Sequence, residues 1–324
     1  MRLDYLSWAG LSFRLMANFS LITLVLGLVG ATIPPPKCRV VNKPPSAELH
    51  LYGLGYNAKH ADGSCPTLDK VVNDFNILKG KSGSIRTFGL LDCGQGEFLV
   101  QAAERTGLKV NLGMFVNYDD NQFENEFANL KVLIGKYRST FEKYIPSIIV
   151  GSETLYRKEV TPDKLATFIK RVKEHVQGQL NLPVRVTTAD TKDMWYPHAT
   201  LDAVDFMMVN AYPYWESIPV QDATNHLFKS IQAVKERTAR ANKEFVLGET
   251  GWPLGGQAMG AAIPSKENQN LFFNQFYCRA NNEKLKYYYF AAFDEFWNVN
   301  ETKSAWGVLK PDGSVKDNYV IPKC

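Results

Sequence analysis

The fold is decided by a unit that recurs along the chain, and its clearest copy is SIIVGSETLYRKEVTPDKLATFIKRVKEHV (residues 147–176). Residues 147–153 form a Val- and Ile-rich apolar run, as expected for a parallel strand that is buried on both faces. Thr161 and Pro162 then predict the start of a helix, because proline is favoured in the first helical turn. Apolar residues follow at the three- and four-residue spacing of one helix face: Leu165, Phe168, Ile169, Val172 and Val176. The unit is therefore a buried strand, a loop and an amphipathic helix.

Strand-like runs of the same kind recur along the rest of the chain. They are predicted at 51–57, 84–89, 109–116, 147–153, 183–190, 204–212, 244–250 and 287–297. Helix-like segments separate them at intervals of about 35 residues, which is the arithmetic of a (β/α)8 barrel. A doubly wound open sheet is the alternative, but GYNAKHADG (55–63) lacks the glycine-rich phosphate turn that such a sheet normally has after its first strand. The predicted fold class is α/β, a single (β/α)8 TIM barrel.

The composition is that of a globular protein and excludes several functional classes. Hydrophobic residues make up 45% and charged residues 22% of the 324 residues, which argues against a disordered or coiled-coil protein. The net charge of +4 is too small to indicate a nucleic-acid-binding protein. The sequence contains no HExxH, GxSxG or Walker motif, and its histidines include no pair at metal-ligand spacing. We therefore predict no metal, no cofactor and no nucleic-acid partner.

The N-terminal segment has the layout of a secretory signal peptide. An apolar run, Phe19–Val29, follows Arg14 and precedes the small residues Gly30 and Ala31. A retained membrane anchor or a buried helix are the alternatives, but a membrane span usually needs about 20 apolar residues. With cleavage after Ala31, the protein is predicted to be secreted to the cell wall. The predicted organisation is a signal peptide at 1–31, an N-terminal extension at 32–50 and a catalytic barrel at 51–324.

Five cysteines fit an oxidising compartment, where two bridges and one free thiol are the simplest arrangement. Their spacing alone does not give the connectivity. The barrel favours a Cys65–Cys93 bridge between neighbouring loops and a Cys278–Cys324 bridge that fixes the C-terminal tail, with Cys38 left over. Asn300 begins an N-glycosylation sequon that a secreted chain could use.

Carboxylates lie at the C-terminal ends of three predicted strands, where barrel enzymes carry their active sites. They are Glu153 on strand 4, Glu249 on strand 7, and Asp294 with Glu295 on strand 8. Any one of them alone could equally cap a helix or pair with an Arg or Lys. Glu153 and Glu249 are separated by about three repeats, so we predict that their carboxyl groups face each other across the barrel mouth.

Two such carboxyl groups suit the cleavage of a glycosidic bond. One must stay protonated to give its proton to the leaving oxygen, and the other must stay ionised to attack the sugar carbon. Aromatic side chains, which can stack on sugar rings or simply pack in the core, cluster at the same strand ends. They are Tyr56, Tyr156, Trp195, Tyr196, Tyr212, Tyr214, Trp215, Trp252 and Trp297.

Four motifs together resemble glycoside hydrolase family 17, especially its fungal cell-wall β-1,3-glucanases and glucanosyltransferases. They are VGSETLYR (150–157), VNAYPYW (209–215), GETGWP (248–253) and FAAFDEFW (290–297). The resemblance extends from about residue 51 to Cys324. It implies a barrel of the large clan of retaining glycosidases, with the acid/base on strand 4 and the nucleophile on strand 7. The implied acid/base is Glu153 and the implied nucleophile is Glu249.

The resemblance also implies substrate-binding residues. Tyr212 would hydrogen-bond the nucleophile, and Glu295 would keep the site polar and ordered. The glucan cleft would be lined by Tyr56, Trp252 and Trp297, and an acceptor platform could be formed by Tyr156, Trp195 and Trp215. One position departs from the clan, since Ser152 stands where an Asn that contacts the sugar 2-hydroxyl usually precedes the acid/base.

The expected substrate is therefore β-1,3-glucan, and no partner protein is implied. We expect a retaining β-1,3-glucanosyltransferase, an endo-β-1,3-glucanase, or both, depending on whether a glucan or water accepts the glycosyl group. Two alternatives stay open. One is an inactive β-glucan-binding wall protein, and the other is a hydrolase of a different β-glucan linkage.

Overall fold

A computed structural model describes residues 48–196, 198–295 and 305–324. Eight parallel strands form a closed barrel in which each strand pairs with its neighbours in chain order, and β8 pairs with β1. The predicted (β/α)8 barrel is thus confirmed. The predicted leader, Cys38, Trp297 and the sequon at Asn300 lie outside the described residues.

The strands have the following bounds: β1 (Leu54–Gly55), β2 (Ser84–Arg86), β3 (Lys109–Met114), β4 (Ser147–Ser152), β5 (Arg185–Thr191), β6 (Phe206–Asn210), β7 (Glu244–Thr250) and β8 (Tyr287–Tyr289). The prediction of a strand over 287–297 was therefore too long. After β8, the backbone N–H of Ala291 donates to the carbonyl oxygen of Trp306, and the N–H of Val308 donates to Ala291. The N–H groups of Phe290 and Ala292 still donate to Thr250 and Gly55, but the strand itself ends at Tyr289 and this part of the chain also pairs with the C-terminal segment.

Each of the first seven strands is followed by a helix. The helices are α1 (Leu68–Lys79), α2 (Gln95–Thr106), α3 (Asp120–Tyr144), α4 (Pro162–Lys173), α5 (Ala199–Ala203), α6 (Val220–Arg240) and α7 (Lys266–Asn282). The predicted start of α4 is confirmed, because the side chain of Thr161 accepts a hydrogen bond from the N–H of Lys164. In the described residues, no helix is both long and apolar enough to cross a membrane.

Apolar side chains pack in two separate places. The larger core lies between the strands and the helices, and it includes the predicted α4 residues Leu165, Ile169 and Val172, which have no exposed surface. A smaller cluster, formed by Ile149, Ala189, Phe206, Met208, Val246 and Tyr288, lies apart from it on alternate strand positions and fills the barrel interior. Both cores hold the strand ends, and hence the side chains at the barrel mouth, in fixed positions.

The two predicted disulfides are confirmed. Cys65–Cys93 joins the loops after β1 and β2, with 5.3 Å between the Cα atoms, and Cys278–Cys324 attaches the C-terminus to α7. An ion pair between Lys59 and Asp92, at 2.7 Å, joins the same two loops. The loops at this side of the barrel mouth are therefore tied to each other.

Candidate active site

Glu249 lies near the end of β7, and the residue is only 8% exposed. Its Oε1 forms an ion pair of 3.0 Å with Nη1 of Arg86, a β2 residue with no exposed surface. Its Oε2 accepts a hydrogen bond of 2.8 Å from the hydroxyl of Tyr212. A cation and a phenol donor thus bind different oxygens, and both contacts favour the ionised carboxylate. The predicted contact between Tyr212 and Glu249 is present.

Tyr212 is suited to remain a donor. Burial raises the pKa of its hydroxyl well above the usual value, and the negative charge of Glu249 and the hydrogen bond to it act in the same direction. The phenol therefore stays protonated near neutral pH, and it donates its hydrogen bond to Glu249.

Glu153 follows directly after β4, in a strained turn. Gly151 and Glu153 both have left-handed backbone angles, with φ of 78° and 57°. The N–H of Glu153 donates to the carbonyl oxygen of Ala189 on β5, at 2.8 Å. A left-handed conformation is uncommon for a residue other than glycine and is concentrated at functional sites. The side chain of Glu153 is partly buried, and its Oε1 accepts a hydrogen bond of 2.9 Å from Nδ2 of Asn210.

Arg86 connects the two carboxyl groups. Besides Glu249, its Nη1 donates to Oδ1 of Asn210 at 3.0 Å, and its Nη2 donates to Oγ of Ser152 at 2.9 Å. A chain of polar contacts therefore links Glu249 to Glu153 through Arg86 and Asn210. This arrangement leaves no room for a side chain at position 248, because a Cβ atom there would lie 2.7 Å from Asn210 Oδ1 and 2.9 Å from Arg86 Nη1.

Asp190 supports the turn that carries Glu153. Its carboxyl group is buried at the end of β5 and accepts hydrogen bonds from the N–H groups of Leu155, at 2.9 Å, and Thr191, at 2.8 Å. Burial raises the pKa of Asp190 to about 7, and the nearby charge of Glu153 adds to the effect, although the backbone donors oppose it. The strand-4 turn thus rests on a carboxyl group that titrates near neutrality.

Some of the predicted substrate-binding residues are accessible. Tyr156 is 58% exposed in the loop after β4, and Trp215 is 40% exposed in the loop after β6. The Trp215 ring packs against Tyr214 and Trp306, with ring centroids 4.9 and 5.8 Å apart. Tyr212 and Ser152 are both half-buried, and the Ser152 hydroxyl accepts a hydrogen bond from Arg86. These residues stay candidates for contact with a ligand.

Three other predicted cleft residues lie in the core, which corrects their assignment. Tyr56 and Trp195 are 1% exposed, and Trp252 has no exposed surface. The Tyr56 hydroxyl donates to Asp74 at 2.7 Å, the Trp195 indole N–H is shared between the carbonyls of β5 and β6, and the Trp252 indole N–H donates to Ile263 at 3.1 Å. The polar group of each ring forms its hydrogen bond inside the protein. These rings therefore pack between helices, strands and loops and do not line the barrel mouth.

The carboxylates predicted on strand 8 lie beyond the end of β8. Asp294 is a structural residue, because its Oδ1 accepts from the N–H of Gly307 at 2.8 Å and pairs with Lys316 at 2.6 Å. Glu295 is partly buried, and its role in keeping the site polar stays a prediction. Trp297 is outside the described residues, so its predicted place in the cleft stays a prediction as well.

Sequence reasoning missed Arg86 and Asn210. Both had a signal in the sequence, since Arg86 interrupts the strand SIRTFG and Asn210 lies inside the quoted motif VNAYPYW. A buried arginine in a barrel strand needs a charged partner, and that requirement could have indicated it. Trp306 was also missed, and its ring lies edge-on to Tyr212, with centroids 5.5 Å apart.

Across the described ranges, no group of three His, Cys, Asp or Glu side chains could hold a metal ion.

Comparison with known proteins gives the family. Residues 53–307 match the BtgE/BtgC glycoside hydrolase domain. The chain belongs to this family, a branch of glycoside hydrolase family 17. A Schizosaccharomyces pombe protein named glucan 1,3-beta-glucosidase is 32% identical over 80% of this chain and 83% of its own length. The Candida albicans glucan 1,3-beta-glucosidase BGL2 is 30% identical over 82% of this chain and 90% of its own.

A solved structure of a family 17 relative is similar throughout. An active-site mutant of the Rhizomucor miehei beta-1,3-glucanosyltransferase, in complex with laminaritriose, is 32% identical with a TM-score of 0.75. The match covers 85% of this chain and 98% of that one. The family 17 protein described here is therefore an enzyme of the glycoside hydrolase type.

Proposed function

We propose that this family 17 protein is a retaining enzyme that cleaves β-1,3-glucan and transfers the cleaved segment to another glucan, with Glu249 as the nucleophile and Glu153 as the acid/base. The observation that carries the proposal is the contrast between the two carboxyl groups. Glu249 is bound on both oxygens by groups that favour its ionised form, Arg86 and Tyr212. Among the described residues, the side chain that donates to Glu153 is a neutral amide, that of Asn210. These environments suit one attacking carboxylate and one proton donor.

In the first step, Glu249 attacks the anomeric carbon while Glu153 gives its proton to the departing oxygen. The bond between the sugar carbon and the leaving oxygen breaks, and a covalent glucosyl–enzyme ester forms at Glu249. Arg86 holds Oε1 of the nucleophile and Tyr212 holds Oε2, so the carboxylate does not have to be oriented during the reaction.

In the second step, Glu153 has lost its proton and acts as a base on the incoming acceptor. It removes a proton from a glucan hydroxyl or from water, and that oxygen displaces Glu249 from the sugar carbon. Two inversions restore the original stereochemistry. Transfer and hydrolysis therefore share all chemistry and differ only in which acceptor occupies the site.

Exposed aromatic rings favour a glucan as the acceptor. Tyr156 and Trp215 stand at the ends of β4 and β6, and their exposed rings could stack on the apolar faces of sugar units. Trp306 packs behind Trp215 and holds its ring in place. The similar Rhizomucor miehei protein is named a glucanosyltransferase, which agrees with this choice.

We also propose that the protein is exported to the cell wall, with the predicted signal peptide at 1–31 removed ahead of the extension at 32–50. The two disulfides suit an oxidising compartment, and the run Phe19–Val29 is shorter than a membrane span. N-terminal sequencing of the secreted protein should begin at Thr32. A start at or before Met16 on secreted material would contradict cleavage.

The product pattern tests the proposed activity. The purified protein is incubated with laminari-oligosaccharides of one defined length, and the products are separated over time. Products longer than the starting sugar are expected, and linkage analysis then gives the bond that was formed. Only shorter products at high substrate concentration would make the enzyme an endo-hydrolase, and activity confined to another β-glucan would overturn the substrate. No turnover at all would favour the alternative of a glucan-binding wall protein.

A further inference from the structure

The amide of Asn210 lies between the two carboxyl groups, and the chemistry of its neighbours fixes its orientation. A guanidinium group has only N–H donors, so the Asn210 atom that lies 3.0 Å from Arg86 Nη1 has to be the carbonyl oxygen. The NH2 group is then the one 2.9 Å from Glu153 Oε1. Asn210 is 1% exposed, so water does not compete for either half of the amide.

This orientation determines which oxygen of Glu153 can hold a proton. An amide N–H only donates, so Oε1 of Glu153 has to accept, and a proton on Oε1 would point at another proton. We infer that Asn210, oriented by Arg86, is a positioning residue that reserves Oε1 of Glu153 as an acceptor and so keeps the transferable proton on Oε2. The inference rests on the proposed function, in which Glu153 delivers that proton to the leaving oxygen.

The other groups around Glu153 have bonds of their own. Arg157 donates to Glu159 and to the carbonyl of Ser152, and Asp190 accepts from backbone N–H groups. Ser152, which precedes Glu153, binds Arg86. In the described part of the chain, Asn210 is accordingly the side chain that hydrogen-bonds the Glu153 carboxyl group.

Asn210→Asp tests the inference with almost no change in shape. The second carboxylate oxygen replaces the NH2 group, so an acceptor now faces Oε1 of Glu153. Two neighbouring carboxyl groups tend to share one proton between them, which draws the proton of Glu153 from Oε2 to Oε1. The bond to Arg86 can persist, because a carboxylate oxygen accepts as the amide oxygen did.

The measured quantity is kcat/KM on two substrates that differ in their leaving group. On laminari-oligosaccharides, whose leaving oxygen needs a proton, we expect Asn210→Asp to lower kcat/KM by about 10²–10³-fold. On an aryl laminaribioside with a dinitrophenolate leaving group, which departs without a proton, we expect a loss below about 10-fold. Azide is present in the aryl assay, because this anion accepts the glucosyl group from the enzyme without needing a base.

Asn111→Asp is the matched control. Asn111 is a buried strand asparagine, 5% exposed, whose amide donates to Tyr288 and accepts from Ser147 at the opposite end of the barrel. The same chemical change there should lower the melting temperature and leave the ratio of the two activities at the wild-type value. The control therefore separates an effect of a buried aspartate on folding from an effect on the proton of Glu153.

The ratio of aryl to oligosaccharide activity decides the outcome. A rise of about 10-fold or more in Asn210→Asp, with no rise in Asn111→Asp, is the expected result. Equal losses on both substrates, or no loss on either, would overturn the inference while the proposed function stands. Where the aspartate variant does not fold, Asn210→Ala is judged by the same ratio. A wild-type protein that is inert on both substrates would instead refute the proposed function, and the inference with it.

Discussion

Glu244 at the N-terminal end of the barrel and Asp190 at the C-terminal end hold their carboxyl groups in opposite ways. At the N-terminal end, Asp205 pairs with Lys173 at 2.6 Å, and Glu244 pairs with Arg185 at 2.6 Å and also with Lys286. Burial acts to raise the pKa of Glu244, but its two cations outweigh it and the pKa is lowered. At the C-terminal end, Asp190 accepts from backbone N–H groups, and burial raises its pKa to about 7.

Space and polarity alone do not distinguish the two ends. A cavity of about 640 Å³ opens at the N-terminal end, and its floor includes Ser84, Asn111, Ser147 and Tyr288. These side chains are hydrogen-bonded to one another. At the C-terminal end, the hydrogen bond that Glu153 forms with another side chain of the described ranges uses Oε1 and leaves Oε2 available. Hydrogen-bonding capacity that remains available to a ligand, rather than cavity size, therefore indicates the reactive end.

Removal of the nucleophile should have the largest effect. Glu249→Ala deletes the group that forms the covalent ester, so turnover of β-1,3-glucan should fall by roughly 10⁵-fold or more. A substrate with a better leaving group should not restore the activity, because the nucleophile is still missing. The measurement is kcat on laminari-oligosaccharides and on an aryl laminaribioside. Glu244→Gln, at the other end of the barrel, serves as the control and should keep wild-type kcat. Near-normal activity of Glu249→Ala would remove this residue from the mechanism.

Neutralising the acid/base should have a smaller effect that depends on the substrate. Glu153→Gln cannot donate a proton, so kcat/KM on oligosaccharides should fall by about 10³–10⁴-fold. An aryl substrate with a good leaving group should recover most of this loss in the first step, and azide should restore the second. A loss of the same size on both substrates would mean that Glu153 does not transfer the proton.

Removal of an exposed ring from the C-terminal end should change the choice of acceptor. Trp215→Ala is expected to lower the ratio of transfer to hydrolysis by about 2–12-fold, since a stacked ring contributes about 0.5–1.5 kcal/mol. Tyr52 is 41% exposed beside the N-terminal cavity, close to the 40% of Trp215, and Tyr52→Ala is the matched control. An unchanged ratio in Trp215→Ala, or the same change in both variants, would exclude Trp215 from the acceptor site.

The smallest effect concerns stability against pH. Folding raises the pKa of Asp190 from 3.8 to about 7, so the folded protein holds a proton there that the unfolded chain has lost. The free energy of unfolding therefore falls as the pH rises through this range. Asp190→Asn should reduce this pH-dependent fall in melting temperature by several degrees. Part of the fall in melting temperature should persist in this variant, because burial also raises the pKa of Glu126 to about 7.

Glu244→Gln should show the reverse dependence. Its lowered pKa means that the ionised form stabilises the folded protein above the usual carboxyl range, and this contribution is lost as the pH falls. The variant should melt lower than wild type near neutral pH and approach it in acid. Melting curves of both variants from pH 4 to pH 8 test the comparison, and parallel curves for the two would contradict it.

The sequence predicted the parts of the site that depend on position along a strand. Glu153 and Glu249 follow apolar runs, and the barrel places all such positions at one mouth. The direction of an aromatic ring is not encoded that way, so Trp195 and Trp252 were assigned to the cleft although both pack in the core. Arg86 was missed because its partners come from β4, β6 and β7, which meet only when the barrel closes.

The decisive step of the proposed reaction is the formation of a covalent bond between Glu249 and the sugar. A laminaribiosyl fluoride that carries fluorine at the 2-position of the reacting sugar slows both steps, so the ester accumulates and can be located by peptide mass spectrometry. We predict one added disaccharide, on the peptide that contains Glu249, and none on that peptide in Glu249→Ala. A label on Glu153 or Glu295, or full inactivation with no label on any carboxylate, would contradict the account.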